Sequence, residues 1–356
     1  MLSHHKEEPQ EFVDSVLREA GKRGASDIYW IPSPDGMDVR LRIDGLPEEA
    51  THIPADYGEI CITRLKVLAG LLTYRTTVAQ DGAIRGHTGT NGAEIRVSVM
   101  PTAHGERIAL RILGQDSAPR YIENLNLPDS MVALLKRMLA APTGMLILTG
   151  PTGSGKTTTI YALVRELLRQ EQDPASIITI EDPIECELPG ISQTAVSENR
   201  EWSYANALRA AMRQDVKTIV VGEMRDREVV KVTLDAALSG HRVITTYHAG
   251  DIPAVYARLL HQGFEPFLIA TAVTGVVTQR LVPAGNGQGR VPVMAALIPD
   301  DEWRDFVAAN PGLTQLRRQI SEYVEADLSQ AAQEMMRCGA ISQVEALKIS
   351  GGIGDT

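Results

Sequence analysis

Cysteine is scarce in this sequence, and the three that occur, Cys61, Cys186 and Cys338, stand far apart with no C-x-x-C pair. That spacing argues against a disulfide framework or a zinc ribbon, reads as free thiols in a reducing compartment, and leads us to expect no structural zinc. Aromatic residues make up 4% of the chain, and basic and aromatic side chains do not interleave as a strand-binding channel needs. Nowhere do about 18 apolar residues run together, and the N-terminal Met1-Leu2-Ser3-His4-His5-Lys6-Glu7-Glu8 has no apolar signal core. Positive charge is in the minority: 35 Lys and Arg against 45 Asp and Glu leave a net charge of −10. That balance opposes general attraction to nucleic acid or anionic lipid. The expectation is a cytoplasmic protein with no specific nucleic-acid partner.

What is present is the composition of a globular protein, 44% hydrophobic and 22% charged, and 356 residues suit two modest domains better than one core. The first third reads as a small α+β unit over residues 1–114. Residues 11–21 form an amphipathic helix with Phe12, Val13, Val16 and Leu17 at helical spacing. Residues 38–43 alternate polar and apolar and end on Asp44-Gly45, a half-buried strand entering a turn. A second alternating pair, 94–99 and 107–112, joined by a loop holding Pro101 and Gly105, reads as an antiparallel hairpin. Its polar face carries Arg96, Arg107 and Arg111. The polar run Gly114-Gln115-Asp116-Ser117-Ala118-Pro119 breaks the pattern, which places a linker at 115–120.

From residue 121 to 356, short apolar strands alternate with helices, the pattern of an α/β domain with a parallel-rich sheet, followed by a charged helical part from about residue 300. The strand at 145–149 leads into Gly150-Pro151-Thr152-Gly153-Ser154-Gly155-Lys156-Thr157, which matches G-x-x-x-x-G-K-[ST] in full between a strand and a helix. Glycines let backbone N–H groups turn inward around a polyphosphate, and the helix start adds its positive dipole end. Lys156 would reach the β- and γ-phosphates of ATP, Thr157 would ligate Mg²⁺, and Thr158 continues the same first turn. Other strands end in polar residues at Glu181-Asp182-Pro183, Gly222-Glu223 and His248, and in such sheets strand ends converge on ligands. Glu223 is the candidate to orient or activate the attacking water, with Glu181 as a second acid near the metal; His248 lies at the ligand end of its strand and His241 at the other.

Three further stretches carry a resemblance. Ile180-Glu181-Asp182-Pro183-Ile184-Glu185, Val221-Gly222-Glu223-Met224-Arg225-Asp226 and Leu238-Ser239-Gly240-His241-Arg242-Val243-Ile244-Thr245-Thr246-Tyr247-His248 are similar, in order and spacing, to the Asp box, Walker B and His box of the type II secretion and type IV pilus ATPases. Ala25-Ser26-Asp27-Ile28, Arg42-Ile43-Asp44-Gly45, Gln80-Asp81-Gly82 and Gly105-Glu106-Arg107 resemble signatures of that family's preceding domain. The resemblance implies a homohexameric motor with a PAS-like N-terminal domain and a RecA-like ATPase domain, working an inner-membrane platform protein from the cytoplasmic face. It also implies that Arg96 and Arg111 reach toward bound nucleotide. The run from Asp182 to Gln193 resembles the assembly and secretion branch more than the retraction branch, and the missing four-cysteine insertion after Val282 gives a compact form similar to the short competence-pilus ATPases. Tyr29, Ile31, Val216-Lys217 and Tyr247-His248-Ala249-Gly250 depart from the family pattern. The phosphate loop is shared by nucleic-acid translocases and by non-hydrolysing nucleotide-binding scaffolds, so both readings stay open on the motif alone.

Overall fold

The computed structural model describes residues 8–43, 45–86, 93–112, 121–170, 173–196, 202–287, 289–324 and 327–351. The turn residue Asp44 and the boundary run 114–119 lie outside the described residues. The chain divides into two compact units, Met1–Ala118 and Pro119–Thr356.

The first unit runs α1 (Pro9–Lys22), β1 (Asp27–Ser33), β2 (Gly36–Ile43), β3 (Leu46–Ile53), α2 (Ala55–Leu68), β4 (Gln80–Ile84), β5 (Ile95–Thr102) and β6 (Gly105–Ile112). Its strands form one antiparallel sheet in the order β3-β2-β1-β6-β5-β4. Phe12, Val13, Val16, Leu17 and Ala20 recur at helical spacing, so α1 buries one stripe, and it packs with α2 on the apolar face of the sheet. Ile95, Val97, Val99, Ile108, Leu110 and Ile112 alternate inward from β5 and β6. The hairpin is tighter than the sequence suggests. Pro101 and Gly105 belong to the strands, Thr102 pairs with Gly105, and the Thr102 hydroxyl donates to the Gly105 carbonyl at 2.7 Å.

One buried charge cross-links this unit. The Lys66 ammonium, 1% exposed, donates to Glu106 Oε1 at 2.8 Å and to the carbonyls of Arg75 at 2.9 Å and Thr73 at 3.4 Å. It therefore ties α2, the segment before β4 and strand β6 to one point, and all three ammonium protons are used. Gln80 braces the same segment through the Leu72 N–H and the carbonyls of Leu72 and Arg75. Lys66→Ala would leave a largely buried carboxylate and two carbonyls without their donor, so it is expected to destabilise this unit by about 3–5 kcal/mol. Urea unfolding of the full chain should show an early transition that the double variant Lys66→Met/Glu106→Leu largely reverses.

The second unit runs α3 (Asp129–Leu139), β7 (Gly144–Thr149), α4 (Lys156–Gln170), β8 (Ile177–Glu181), β9 (Ser192–Ala195), α5 (Tyr204–Ala211), β10 (Thr218–Val221), α6 (Arg227–Leu238), β11 (Arg242–Tyr247), α7 (Ile252–His261), α8 (Pro266–Ala272), β12 (Val273–Pro283) and β13 (Arg290–Leu297). Four helices follow: α9 (Asp301–Ala308), α10 (Leu313–Tyr323), α11 (Leu328–Arg337) and α12 (Gln343–Ser350). The sheet order is β13-β12-β7-β11-β10-β8-β9, parallel from β12 to β9 with β13 antiparallel at one edge. All six residues of β7 are buried, because helices cover both faces. Met145 and Ile147 face the cluster containing α5 to α10, while Leu146 and Leu148 face α3 and α4.

At its entry, Tyr121 lies between two guanidinium groups of α4, with Arg169 Cζ 3.5 Å and Arg165 Cζ 3.9 Å from its ring centroid. Arg165 also donates to the Tyr121 hydroxyl at 2.8 Å. Parallel register carries the C-terminal ends of β7, β8, β10 and β11 to one side of the sheet, with Tyr247 beside Thr149, Thr245 beside Val221 and Ile180 beside Val221.

Candidate active site

The loop from Gly150 to Gly155 leaves β7 at that side and runs into α4. Gly150, Gly153 and Gly155 have φ of +142°, +75° and +84°, a region in which side chains are strained, so the glycines are conformational requirements of the turn. Pro151, Thr152, Thr157 and Thr158 are exposed, and Ser154 is buried with its hydroxyl making no hydrogen bond among the described residues. The Lys156 ammonium donates to the carbonyls of Gly150 and Pro151, both at 2.9 Å. Burial holds that ammonium below its ordinary pKa range; Glu223 opposes the shift and Arg280 adds to it, so these three charges act on one space. A partly desolvated cation, an unpartnered hydroxyl and the free N–H groups of a 15-residue helix all suit a phosphate group. Thr157, in the first turn of α4, is exposed and would be free to hold Mg²⁺ beside a bound phosphate.

Glu223 follows β10 and the residue Gly222. A Cβ at Gly222 would lie 2.9 Å from the Tyr204 hydroxyl and 3.3 Å from the Ile180 carbonyl, so any side chain before Glu223 would crowd both. One Glu223 oxygen accepts from Arg225 Nε and the other lies 3.0 Å from His248 Nε2. Burial would raise the Glu223 pKa, but the hydrogen bonds to Arg225 and His248 outweigh it and hold the carboxylate below its usual range. His248 is 50% exposed, and its backbone carbonyl accepts from Arg258 at 2.5 Å. The loop after it is fastened to β7, the Thr149 hydroxyl donating to the Ala249 carbonyl at 2.7 Å and accepting from the Ala249 N–H at 3.1 Å.

The acidic box after β8 splits in two. Asp182 turns to the cluster and pairs with Arg225 at 3.0 Å, so Arg225 bridges two acids. Glu181 is 5% exposed and turned inward: Tyr161 donates to one of its oxygens at 2.5 Å, and Thr179 at 2.6 Å and Gln193 at 3.0 Å donate to the other. The Tyr161 hydroxyl also accepts from the N–H groups of Glu185 and Cys186, which fastens the whole box to α4. His241 lies at the opposite end of β11, its Nδ1 3.2 Å from both Ser239 and the Ala236 carbonyl. Asp226, in the same stretch as Glu223, accepts from the Val229 N–H as the N-cap of α6.

Arg96 and Arg111 belong to the first unit. They stand directly opposite each other in β5 and β6, on the face that alternation gives them and in the register that the turn between Thr102 and Gly105 sets. Arg111 pairs with Asp27 at 3.2 Å, and Asp27 also faces Arg42 at 3.7 Å. Arg96 is exposed and makes no ion pair with a described residue. Two nearby acids are engaged elsewhere, Glu94 with Arg85 and Glu106 with Lys66.

Sequence reading missed Gln279, whose side chain reaches the phosphate loop, and the parts of Tyr161 and Arg225. Gln279 had one available signal, a polar residue interrupting the apolar run of β12.

A family model described as Type II/IV secretion system protein matches residues 4–348. The chain is 39% identical over 273 residues to the type IV pilus assembly ATPase PilB of Thermus thermophilus, covering 77% of this chain and 30% of that protein. It is 32% identical over 361 residues to the type II secretion system protein HxcR of Pseudomonas aeruginosa, covering 95% of this chain and 76% of that protein. Among solved structures, the pilus retraction motor PilT with bound ADP matches with a TM-score of 0.69 and 28% identity, over 94% of this chain and 96% of that one. A match over nearly its full length, together with relatives above 30% identity, means that this chain belongs to the type II/IV secretion system protein family.

Proposed function

We propose that this chain hydrolyses ATP with Mg²⁺ and that its turnover drives assembly of pilin-like subunits or type II secretion. The observation that carries the reading is Glu223, kept ionised by Arg225 and His248 on the sheet side from which the phosphate loop emerges. A carboxylate so placed is suited to orient a water and accept its proton. Lys156, with the loop N–H groups, would hold the phosphates, and Thr157 would hold the metal, which supplies charge neutralisation when bound. In this reading the second unit is a RecA-like ATPase domain, the first is PAS-like, and six copies form a ring at the cytoplasmic face of a membrane with an inner-membrane platform protein. Arg96 and Arg111 then complete the site, and Glu181 acts by holding the strand end that presents Asp182. The likeness to PilB supports the assembly branch, whereas the likeness to PilT keeps a retraction motor as the second reading.

Phosphate release by the purified protein tests the proposal. The expected outcome is Mg²⁺-dependent hydrolysis by a species with the mass of a hexamer, unchanged by added DNA. ATP binding without phosphate release would make the protein a nucleotide-binding scaffold, and stimulation by single-stranded DNA would make it a translocase.

A further inference from the structure

We infer that Gln279 is a positioning residue for the nucleotide phosphates, acting through the loop between β7 and α4; the inference rests on the nucleotide reading above. Register explains its location. Thr278 of β12 pairs with Thr149, the last residue of β7, so Gln279 emerges beside Gly150. Its side chain is 1% exposed and spans two parts of the phosphate site. Nε2 donates to the Ser154 carbonyl at 2.6 Å, and Oε1 accepts from the Thr159 hydroxyl at 2.9 Å.

The first of these bonds sets the orientation of a peptide unit. Because the peptide is planar and trans, a Ser154 carbonyl aimed at Gln279 makes the Gly155 N–H point the opposite way, away from β12. That N–H is one of the loop donors a phosphate would use, and the bond to Gln279 opposes a peptide flip that would turn the Ser154 carbonyl toward the anion instead. The second bond fixes Gln279 itself. A Thr hydroxyl within a helix can bond its own preceding turn, but Thr159 gives its proton to Gln279 and so anchors the amide to α4.

The loop composition agrees with this contact. A Cβ at Gly150 would lie 2.3 Å from the Gln279 carbonyl oxygen, and one at Gly155 would lie 2.9 Å from Gln279 Nε2. Two of the loop glycines are therefore needed for close approach to this one residue as well as for their turns. The contact also continues outward. Arg280 donates to the Gln279 carbonyl at 3.3 Å and to the Gly250 carbonyl at 2.8 Å, which joins β12 to the loop that follows His248.

A purely structural buried amide would also be hydrogen-bonded, so the test must read the nucleotide and not the fold. Gln279→Met keeps the length of the side chain and removes both bonds. Fluorescent ADP binding to the full-length protein is expected to weaken about tenfold or more, because two buried hydrogen bonds that hold the phosphate loop and its helix in place are lost. KM for ATP should rise in step while kcat at saturation stays within about threefold, because the bonds act on binding and not on the water-activating acid. Far-UV circular dichroism and the oligomer mass should match wild type. Thr159→Val, which removes only the anchor, should weaken ADP binding by a smaller factor, and Thr159→Ser should restore it. A folded Gln279→Met that binds ADP within twofold of wild type would overturn the inference. Should that variant fail to fold, unchanged ADP affinity in Thr159→Val would do the same. Wild-type protein that does not bind ADP would instead sink the nucleotide reading itself.

Discussion

Glu223→Gln is expected to bind ATP as tightly as wild type and to release phosphate ~10² to 10⁴ times more slowly, the usual scale for loss of a general base. The substitution is nearly isosteric, so β10 and the turn at Gly222 keep their packing, and the change is confined to a group that no longer accepts a proton. Lys156→Ala should give the opposite pattern, because it removes the cation that now rests on the Gly150 and Pro151 carbonyls and would otherwise meet the phosphates. ATP affinity falls in that variant before chemistry is reached. The pH profile adds a second check. The hydrogen bonds from Arg225 and His248 keep Glu223 ionised below the usual carboxylate range, so an acid limb near neutrality in the wild type must come from another group. Undiminished hydrolysis by Glu223→Gln would remove Glu223 from this role. The acid to examine next is then Asp182, since both oxygens of Glu181 are already bonded to Tyr161, Thr179 and Gln193.

Arg111→Ala is expected to lose about 10³- to 10⁵-fold in turnover, the range for a transition-state arginine, while fold and oligomer survive. Like charges set directly opposite in a sheet repel, and the pair of Arg96 and Arg111 places two guanidinium groups in that position. Asp27 offsets part of the repulsion through Arg111, but it is shared with Arg42, so the row Arg42, Asp27, Arg111, Arg96 carries three cations against one anion. A triphosphate would complete that balance with paired hydrogen bonds. To learn whether the arginines serve a neighbouring copy, Arg111→Ala and Glu223→Gln protomers, each inactive alone, should be mixed. Recovered activity supports a site shared between subunits. No recovery in rings shown to be mixed would assign the arginines another task, such as holding Asp27.

The legible parts of the molecule were those whose signal is local. A glycine-rich turn between a strand and a helix, and polar residues closing apolar strands, are patterns written within ten residues, and they point to the phosphate loop, Glu223 and His248 directly. Alternation likewise puts Arg96 and Arg111 on one face, and the turn between Thr102 and Gly105 sets them opposite each other. Helix α2 was missed for a physical reason: Ile60 and Val67 are exposed while Gly58, Cys61, Ile62, Leu65 and Lys66 are buried, so its apolar residues circle the axis and show no clear stripe. Lys66 was missed with it, since a lysine read in sequence is assumed to be solvated. The division of labour between Glu181 and Asp182 was equally hidden. Adjacent residues at a strand end point to opposite sides, and which one meets Tyr161 depends on a helix 20 residues earlier. Gln279 is separated from Ser154 by 125 residues, and no spacing rule spans that distance.

Helix α4 has two engaged ends. Its first turn carries Lys156, Thr157 and Thr158, and toward its last turn Arg165 and Arg169 grip the ring of Tyr121, the first described residue of the second unit. At 15 residues the helix is roughly 22 Å long and, hydrogen-bonded throughout, behaves as a stiff rod. A strut of that kind does not absorb a push at one end. A displacement imposed on the phosphate loop would therefore be carried along the helix axis toward Tyr121, since the loop and the point where the chain enters this unit share one helix.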